Sequence, residues 1–177
     1  CFYNCINKGN DNNIYIAIKG DIYTKNNKSF EKIYSDSLGI LGINILSKDE
    51  FYYISGDLKL KYYSYGEVFV LDSNLKVNRV EGELDSFFYL TNYGVNRYVE
   101  GKIELLKQGD YIDMVVGDNN IVYCLLKGLG VQILGDVDDS IINMPWIDNW
   151  NKIKGILLMS EDIVIYDDNK MYVYNSL

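Results

Sequence analysis

Short runs of apolar residues, separated by polar or glycine-containing turns, recur along the whole chain. Most of the runs alternate apolar and polar positions, a period of two that is typical of half-buried β-strands. No segment longer than about ten residues shows the apolar stripe of an amphipathic helix. The best helix candidate, Trp146–Lys154, is short and could equally be a loop. The pattern therefore predicts an all-β fold.

One unit, a strand–turn–strand hairpin, recurs five times. The copies are Ile14–Tyr23, Phe51–Leu60, Phe87–Val99, Ile121–Leu134 and Ile163–Tyr174. Their first residues are roughly 34 to 42 positions apart, a period suited to propeller blades and other repeat arrays. The sequence thus predicts a single domain over residues 1–177, a small β-propeller of about five short antiparallel blades. An open β-meander or a sandwich fragment is the alternative.

Further strands surround these hairpins. An apolar strand precedes three of them, at Leu41–Leu46, Tyr111–Val116 and Ile153–Met159. An additional pair, Glu67–Asp72 and Leu75–Val80, lies between the second and third copies. Ser73-Asn74 joins the two strands and suggests a hairpin turn. This extra pair does not fit the simple repeat count.

Three stretches share one order of features: an apolar strand, a polar turn, an apolar strand, an acidic or glycine turn, and a strand rich in Val or Tyr. They are Ile40–Gly66, Tyr111–Asp136 and Ile153–Asn175. The order resembles that of RCC1-type repeats. The resemblance implies a β-propeller that binds other proteins, in a family whose members normally close seven blades.

The chain also departs from the RCC1 pattern. The turn histidine usual in such repeats is absent, because the chain has no His. Tyr174-Asn175 and Leu134-Gly135 replace the Trp-Gly that usually closes the unit. No partner-specific motif of the family is matched, so the resemblance assigns no functional residue.

The composition excludes several classes of catalytic, metal and nucleotide site. Without His, the chain has no Ser-His-Asp or Cys-His pair and no imidazole metal ligand. It also lacks the glycine motifs that bind nucleotides. The sequence predicts neither an enzyme nor a cofactor. The net charge of −8 argues against nucleic acid as a partner, and no apolar run of about 20 residues predicts a transmembrane helix.

Carboxylates and cysteines add little to this picture. Most Asp residues lie at predicted turns, where they satisfy backbone donors. Two oxygen-rich loops, Asn10–Asn13 and Asp136–Ser140, lack the full EF-hand spacing, so we predict no metal site. Cys124 lies in an apolar run and is predicted to be a buried thiol, whereas Cys1 and Cys5 could pair with each other.

The segment Met144–Trp150 holds both tryptophans and the single proline. It occupies the longest spacing between repeats. Exposed Trp and Met side chains in loops are favoured anchors for protein partners. We therefore predict that Met144, Trp146, Ile147 and Trp150 bind a partner. In the alternative, both rings pack beneath the loop onto the sheets.

The sequence favours a non-enzymatic protein–protein interaction module or scaffold. One alternative is a protein that binds or cleaves carbohydrate with Tyr and Trp platforms and paired carboxylates. Another is a lipid-anchored protein that begins at Cys1, since processed bacterial lipoproteins begin with cysteine. An intracellular location is favoured, with an extracellular lipoprotein as the alternative. The partner's identity stays open.

Overall fold

The structure is a computed structural model that describes residues 5–26, 29–73, 76–82, 86–135, 140–142, 144–160 and 162–175. The first sheet contains β1 (Ile6–Lys8), β2 (Ile14–Ile18), β3 (Asp21–Asn26) and β4 (Ser29–Ser35). The second contains β5 (Ile40–Ser47), β6 (Glu50–Ser55), β7 (Leu60–Ser64) and β8 (Glu67–Asp72). The third contains β9 (Val77–Gly82), β10 (Ser86–Thr91), β11 (Gly94–Val99) and β12 (Lys102–Gln108).

The last two sheets complete the described strands. The fourth contains β13 (Tyr111–Val116), β14 (Val122–Leu126), β15 (Gly130–Leu134) and β16 (Ser140–Ile142). The fifth contains β17 (Gly155–Met159), β18 (Asp162–Tyr166) and β19 (Met171–Tyr174). Within each sheet, the strands lie side by side in chain order. The five sheets are arranged as a five-bladed β-propeller, so the predicted fold class is confirmed.

Each predicted hairpin forms the second and third strands of one sheet, so the sequence repeat corresponds to one sheet. The prediction that Glu67–Asp72 and Leu75–Val80 form a hairpin is wrong. The first of these strands is β8, which pairs with β7, and the second lies largely in β9, which pairs with β10. Val77 and Val80 are buried with residues of β6 and β10, and this burial outweighs pairing with the preceding strand. Asn74 and Leu75 lie outside the described residues.

The helix candidate Trp146–Lys154 forms only a single 3₁₀ turn, Trp150–Lys152. Asn149 caps this turn, because its side chain accepts a hydrogen bond from the backbone N–H of Asn151 at 3.0 Å. The rest of the segment is irregular.

The chain divides into two compact units. Unit 1 comprises Cys1–Asn92 and Asn96–Leu105, and unit 2 comprises Tyr93–Val95 and Leu106–Leu177. Unit 1 has two apolar clusters. In β6, Phe51 and Tyr53 belong to one cluster, whereas Tyr52 and Ile54 belong to the other. Both faces of β6 are therefore covered, which explains why its apolar residues run consecutively instead of alternating.

In unit 2, described residues of the fourth and fifth sheets and of the segment that joins them form an apolar cluster. Its buried members are Val115, Leu125, Val131, Met144, Ile147, Ile153, Ile156, Ile163 and Ile165. Tyr172 and Tyr174 of β19 pack against the cluster from the edge of the fifth sheet. Cys124 is fully buried in β14, as predicted.

Two aspartate–tyrosine pairs connect successive sheets within unit 1. Asp36 follows β4 and accepts a hydrogen bond from the Tyr53 hydroxyl of β6 at 2.9 Å. Asp72 ends β8 and accepts one from the Tyr89 hydroxyl of β10 at 3.0 Å. In both pairs, the tyrosine follows the aspartate by 17 residues. Each pair therefore joins the end of one sheet to the second strand of the next.

Candidate functional site

The segment that links β16 to β17 is held to unit 2 by buried apolar side chains. Met144 is fully buried, and Ile147 and Ile153 are nearly so. The backbone N–H of Lys154 also donates to the carbonyl oxygen of Tyr166 at 2.9 Å. These contacts hold residues 144–154 against the rest of unit 2.

The four residues predicted to bind a partner lie in different surroundings. Met144 and Ile147 belong to the apolar cluster of unit 2. Trp150 is half-buried and packs against that cluster, whereas the side chain of Trp146 is 53% exposed. Trp146 and the exposed part of Trp150 are thus the portions that face solvent. That they bind a partner stays a prediction.

Two further exposed apolar side chains come from the strands that precede this segment. Leu129 lies in the turn between β14 and β15, and Ile141 lies on β16; both are exposed. Gly130, the first residue of β15, lies close to β16: an added Cβ would lie 2.7 Å from the carbonyl oxygen of Ile142 and 3.3 Å from Cγ2 of Ile141. We call the exposed side chain of Trp146, together with the exposed part of Trp150, the Trp146 surface.

Unit 2 also contains a cavity of about 390 Å³. It lies where the connection between β13 and β14 meets the end of β17. Its lining consists of apolar side chains (Val116, Ile121, Leu158), polar side chains (Asp118, Asn119, Tyr123, Ser160) and Gly117. Tyr123 and Leu158 also pack against the apolar cluster of unit 2, which holds two of the walls in place.

The backbone near the cavity is unusual. Asn119, Asn120 and Ser160 have φ angles of 56°, 59° and 59°. Non-glycine residues seldom adopt this left-handed conformation, although Asn tolerates it better than most. Residues held in such conformations tend to cluster at ligand-binding and active sites. Five other described non-glycine residues share this conformation in turns elsewhere in the chain, so it does not by itself distinguish the cavity from other turns.

Local hydrogen bonds engage the carboxylates of two other turns. Asp11 accepts hydrogen bonds from Asn13 and Tyr15 in the first sheet. Asp167 accepts them from the backbone of Asn169 and from Tyr172. By contrast, Asp118 and the other three polar side chains of the cavity have no side-chain hydrogen bond to any described residue. Asp118, Asn119 and Ser160 are exposed, so their polar groups face solvent.

Sequence reasoning did not find this cavity. The run Gly117–Asn120 has the composition of an ordinary turn, and Leu158 and Ser160 come from another sheet some 40 residues later. The concentration of Asp and Asn between two apolar strands was the available signal, but it is equally typical of a solvated turn. Only the packing of two sheets shows that a cavity forms.

Within the described ranges, no group of three or more His, Cys, Asp or Glu side chains is arranged to hold a metal ion. In the loop Asn10–Asn13, the hydrogen bonds from Tyr15 and Asn13 occupy the Asp11 carboxylate. The second loop considered for calcium, Asp136–Ser140, lies outside the described residues except for Ser140, which begins β16. Cys1 lies outside them as well.

No helix in the described part of the chain is long and apolar enough to cross a membrane. No protein-family model matches the chain, and no curated protein sequence matches it.

Solved structures do match the chain. PorZ, a bacterial surface component of the type-IX secretion system of Porphyromonas gingivalis, has 14% identity and a TM-score of 0.66 over 92% of this chain. The WD40 β-propeller domain of Doa1 also has 14% identity and a TM-score of 0.66 over 92%. Virginiamycin B lyase from Staphylococcus aureus, in a catalytically inactive histidine variant with quinupristin, has 12% identity and a TM-score of 0.70 over 97%.

The chain spans 25% of the length of the PorZ chain, 60% of the Doa1 domain chain and 64% of the lyase chain. The three matched proteins include a WD40 domain and an enzyme, so the same fold carries different functions among them. At these identities, the similarity establishes that the chain has a β-propeller fold.

Proposed function

We propose that the chain is a non-enzymatic module that binds another protein through the Trp146 surface. One observation carries the proposal: Trp146 is 53% exposed on a segment in which Met144, Ile147 and Ile153 are buried. Tryptophan is enriched among the residues that contribute most to protein–protein affinity. Because the segment is already fixed, little conformational entropy is lost when a partner binds.

The relatives in fold are compatible with this proposal. β-Propellers commonly mediate protein interactions, and the Doa1 domain is a propeller of the WD40 type. The resemblance of Tyr111–Asp136 to an RCC1-type repeat supports the same class of function. The matched lyase is inactive as a histidine variant, whereas this chain contains no histidine. This difference favours binding over a similar catalysis.

Affinity capture tests the proposal. The immobilised chain and its Trp146→Ala variant would be incubated with extract of the source organism, and the captured proteins compared by mass spectrometry. We expect a protein that binds the unmodified chain and is lost with Trp146→Ala. Tyr65→Ala is the matched control, because Tyr65 is an aromatic side chain 74% exposed in unit 1.

The melting temperature of each variant shows whether the fold is intact. We expect Trp146→Ala to melt close to the unmodified chain, since an exposed side chain contributes little to stability. If every protein captured by the unmodified chain is also captured by Trp146→Ala, or is equally lost with Tyr65→Ala, the Trp146 surface is not the binding site.

A further inference from the structure

We infer that the cavity of unit 2 binds a neutral polyhydroxylated molecule, of the size of a mono- or disaccharide. This binding site is separate from the Trp146 surface, because the two share no residue. The cavity volume of about 390 Å³ falls within the range of about 300–1,000 Å³ that is typical of small-molecule sites. The chemistry of the lining residues then selects the class of ligand.

The charge of the cavity lining and of the chain disfavours anionic ligands. Among the residues that the structure describes, no Lys or Arg lines the cavity, and Asp118 contributes a carboxylate to it. The chain as a whole carries a net charge of −8. A phosphate or carboxylate group would therefore face repulsion without a cation to pair with. Nucleotides, sugar phosphates and organic acids do not fit this lining.

The hydrogen-bonding groups favour hydroxyls over a cation. Asp118 can only accept hydrogen bonds when ionised, whereas Asn119, Tyr123 and Ser160 can each donate and accept. A hydroxyl group likewise donates and accepts, so several neighbouring hydroxyls can satisfy all four side chains. An organic cation would use the acceptors but not the amide and hydroxyl donors, whereas a hydroxyl-rich ligand can use both.

The apolar part of the lining suits the C–H faces of a sugar ring. Val116, Ile121 and Leu158 present aliphatic side chains, and Tyr123 presents an aromatic ring. The C–H groups of a sugar ring can pack against such walls while its hydroxyls contact the polar side chains. The lining thus combines apolar and polar surfaces in one small space, as sugar recognition requires.

Replacing Gly117 with Ala would add a methyl group between two walls of the cavity. The φ of Gly117, −94°, is open to any residue. An added Cβ would lie 3.0 Å from Cε2 of Tyr123 and 3.2 Å from Cδ1 of Leu158. Gly117→Ala should therefore narrow the space between these two walls. Gly135→Ala is the matched control, since an added Cβ there meets no atom within 4 Å.

The experiment measures binding of glucose, galactose, N-acetylglucosamine, maltose and cellobiose by ligand-observed NMR and calorimetry. Glucosamine and glucose 6-phosphate serve as the cationic and anionic comparisons. We expect at least one neutral sugar to bind. Its affinity should fall about tenfold in Gly117→Ala and in Asp118→Ala, the effect of losing one good contact. Gly135→Ala should bind like the unmodified chain.

Three results would overturn the inference: no neutral sugar of the panel binds, binding is unchanged in both cavity variants, or a charged sugar binds more tightly than its neutral counterpart. Circular dichroism shows whether each variant is folded. Because Asp118 is exposed, Asp118→Ala keeps the test informative if Gly117→Ala does not fold. A failure here leaves the Trp146 proposal unaffected, since neither variant alters that surface.

Discussion

The carboxylate of Asp36 illustrates how single residues secure this fold. It accepts hydrogen bonds from Lys61 Nζ at 2.9 Å, from Tyr53 at 2.9 Å and from the backbone N–H of Leu38 at 2.8 Å. Burial acts to raise the pKa of Asp36, but these hydrogen bonds outweigh it and keep the pKa below its ordinary value. The ionised carboxylate is therefore the form that the folded chain stabilises.

Replacing Asp36 with Ala should lower the free energy of unfolding by about 3–5 kcal/mol, because it leaves the Lys61 ammonium group without its carboxylate. The side chains of this pair are only 8% and 12% exposed. Asp110→Ala is the control. Asp110 pairs with Lys127 at 3.9 Å where both are largely exposed, so its loss should cost under about 1 kcal/mol. Urea unfolding at pH 7 measures both.

The same variant has a predictable pH dependence. Because the pKa of Asp36 is lower in the folded than in the unfolded chain, its contribution is present above the unfolded value of about 3.9. That contribution is lost as the pH falls through the lower, folded pKa. The stability difference between the unmodified chain and Asp36→Ala should therefore shrink below about pH 4. Equal costs for Asp36→Ala and Asp110→Ala at pH 7 would contradict this account.

At the scale of elements, β19 closes one side of the fifth sheet. It is the third strand of that sheet, whereas each of the other four sheets has four described strands. Tyr172 and Tyr174 pack against the apolar cluster of unit 2, while Met171 and Val173 are exposed. Side chains on one face of β19 thus belong to the core, although the strand lies at an edge.

Deleting Lys170–Leu177 should destabilise unit 2, because the deletion removes both tyrosines and exposes the edge of β18. Ile163, Val164 and Ile165 of β18 are all almost fully buried. Hydrogen exchange followed by mass spectrometry would show reduced protection in β17 and β18. The matched control replaces only Met171 and Val173 with Thr, which keeps the strand and its packed tyrosines. Unchanged protection in the deleted chain would show that β19 is dispensable.

The strands and most of their grouping into sheets could be predicted from the sequence, but the β8–β9 connection could not. The five hairpins were recognisable because turn residues separate short apolar runs, and each hairpin lies within one sheet. The β8–β9 connection was mistaken for a hairpin because a turn within a sheet and a turn between sheets use the same residue types. Burial distinguishes the two strands that this connection joins: Val77 of β9 is fully buried, whereas Val68 of β8 is exposed.

The candidate sites, too, could be predicted from the sequence only in part. Trp146 and Trp150 stood out because tryptophan is rare in the chain, but their spacing did not show which ring packs on the core. The polar residues of the cavity did not stand out at all. Asp118 and Ser160 are brought together by the packing of the fourth and fifth sheets, and no periodicity in the sequence marks such a contact.

At the scale of the molecule, the last strands of several sheets carry exposed apolar side chains. On β8, Val68, Phe69 and Val70 are consecutive and each is more than 40% exposed. On β12, Ile103 and Leu105 are similarly exposed. Exposed apolar edge strands can pair with strands of another chain, and proteins commonly protect such edges with charge. These strands therefore favour association between molecules.

Replacing Val68 and Val70 with Lys should reduce self-association at high concentration. The two side chains are 44% and 53% exposed, so we expect the free energy of unfolding to change by less than about 1 kcal/mol in total. Light scattering as a function of concentration measures the effect. Replacing both with Thr, which also favours strands, is the uncharged control. Equal scattering by the unmodified and the Lys-substituted chain would contradict the prediction.

The spacing of the two aspartate–tyrosine pairs bears on how such a chain can change its length during evolution. Asp36 and Asp72 are 36 residues apart, as are Tyr53 and Tyr89. A tandem duplication of the gene segment that encodes Ser37–Asp72 would place the copied tyrosine 17 residues after Asp72, which is the spacing of the existing pairs. The inserted sheet would carry its own connection to the sheet before it. A repeat encoded in this way can be gained or lost as one genetic unit without new residues having to be selected at the junction.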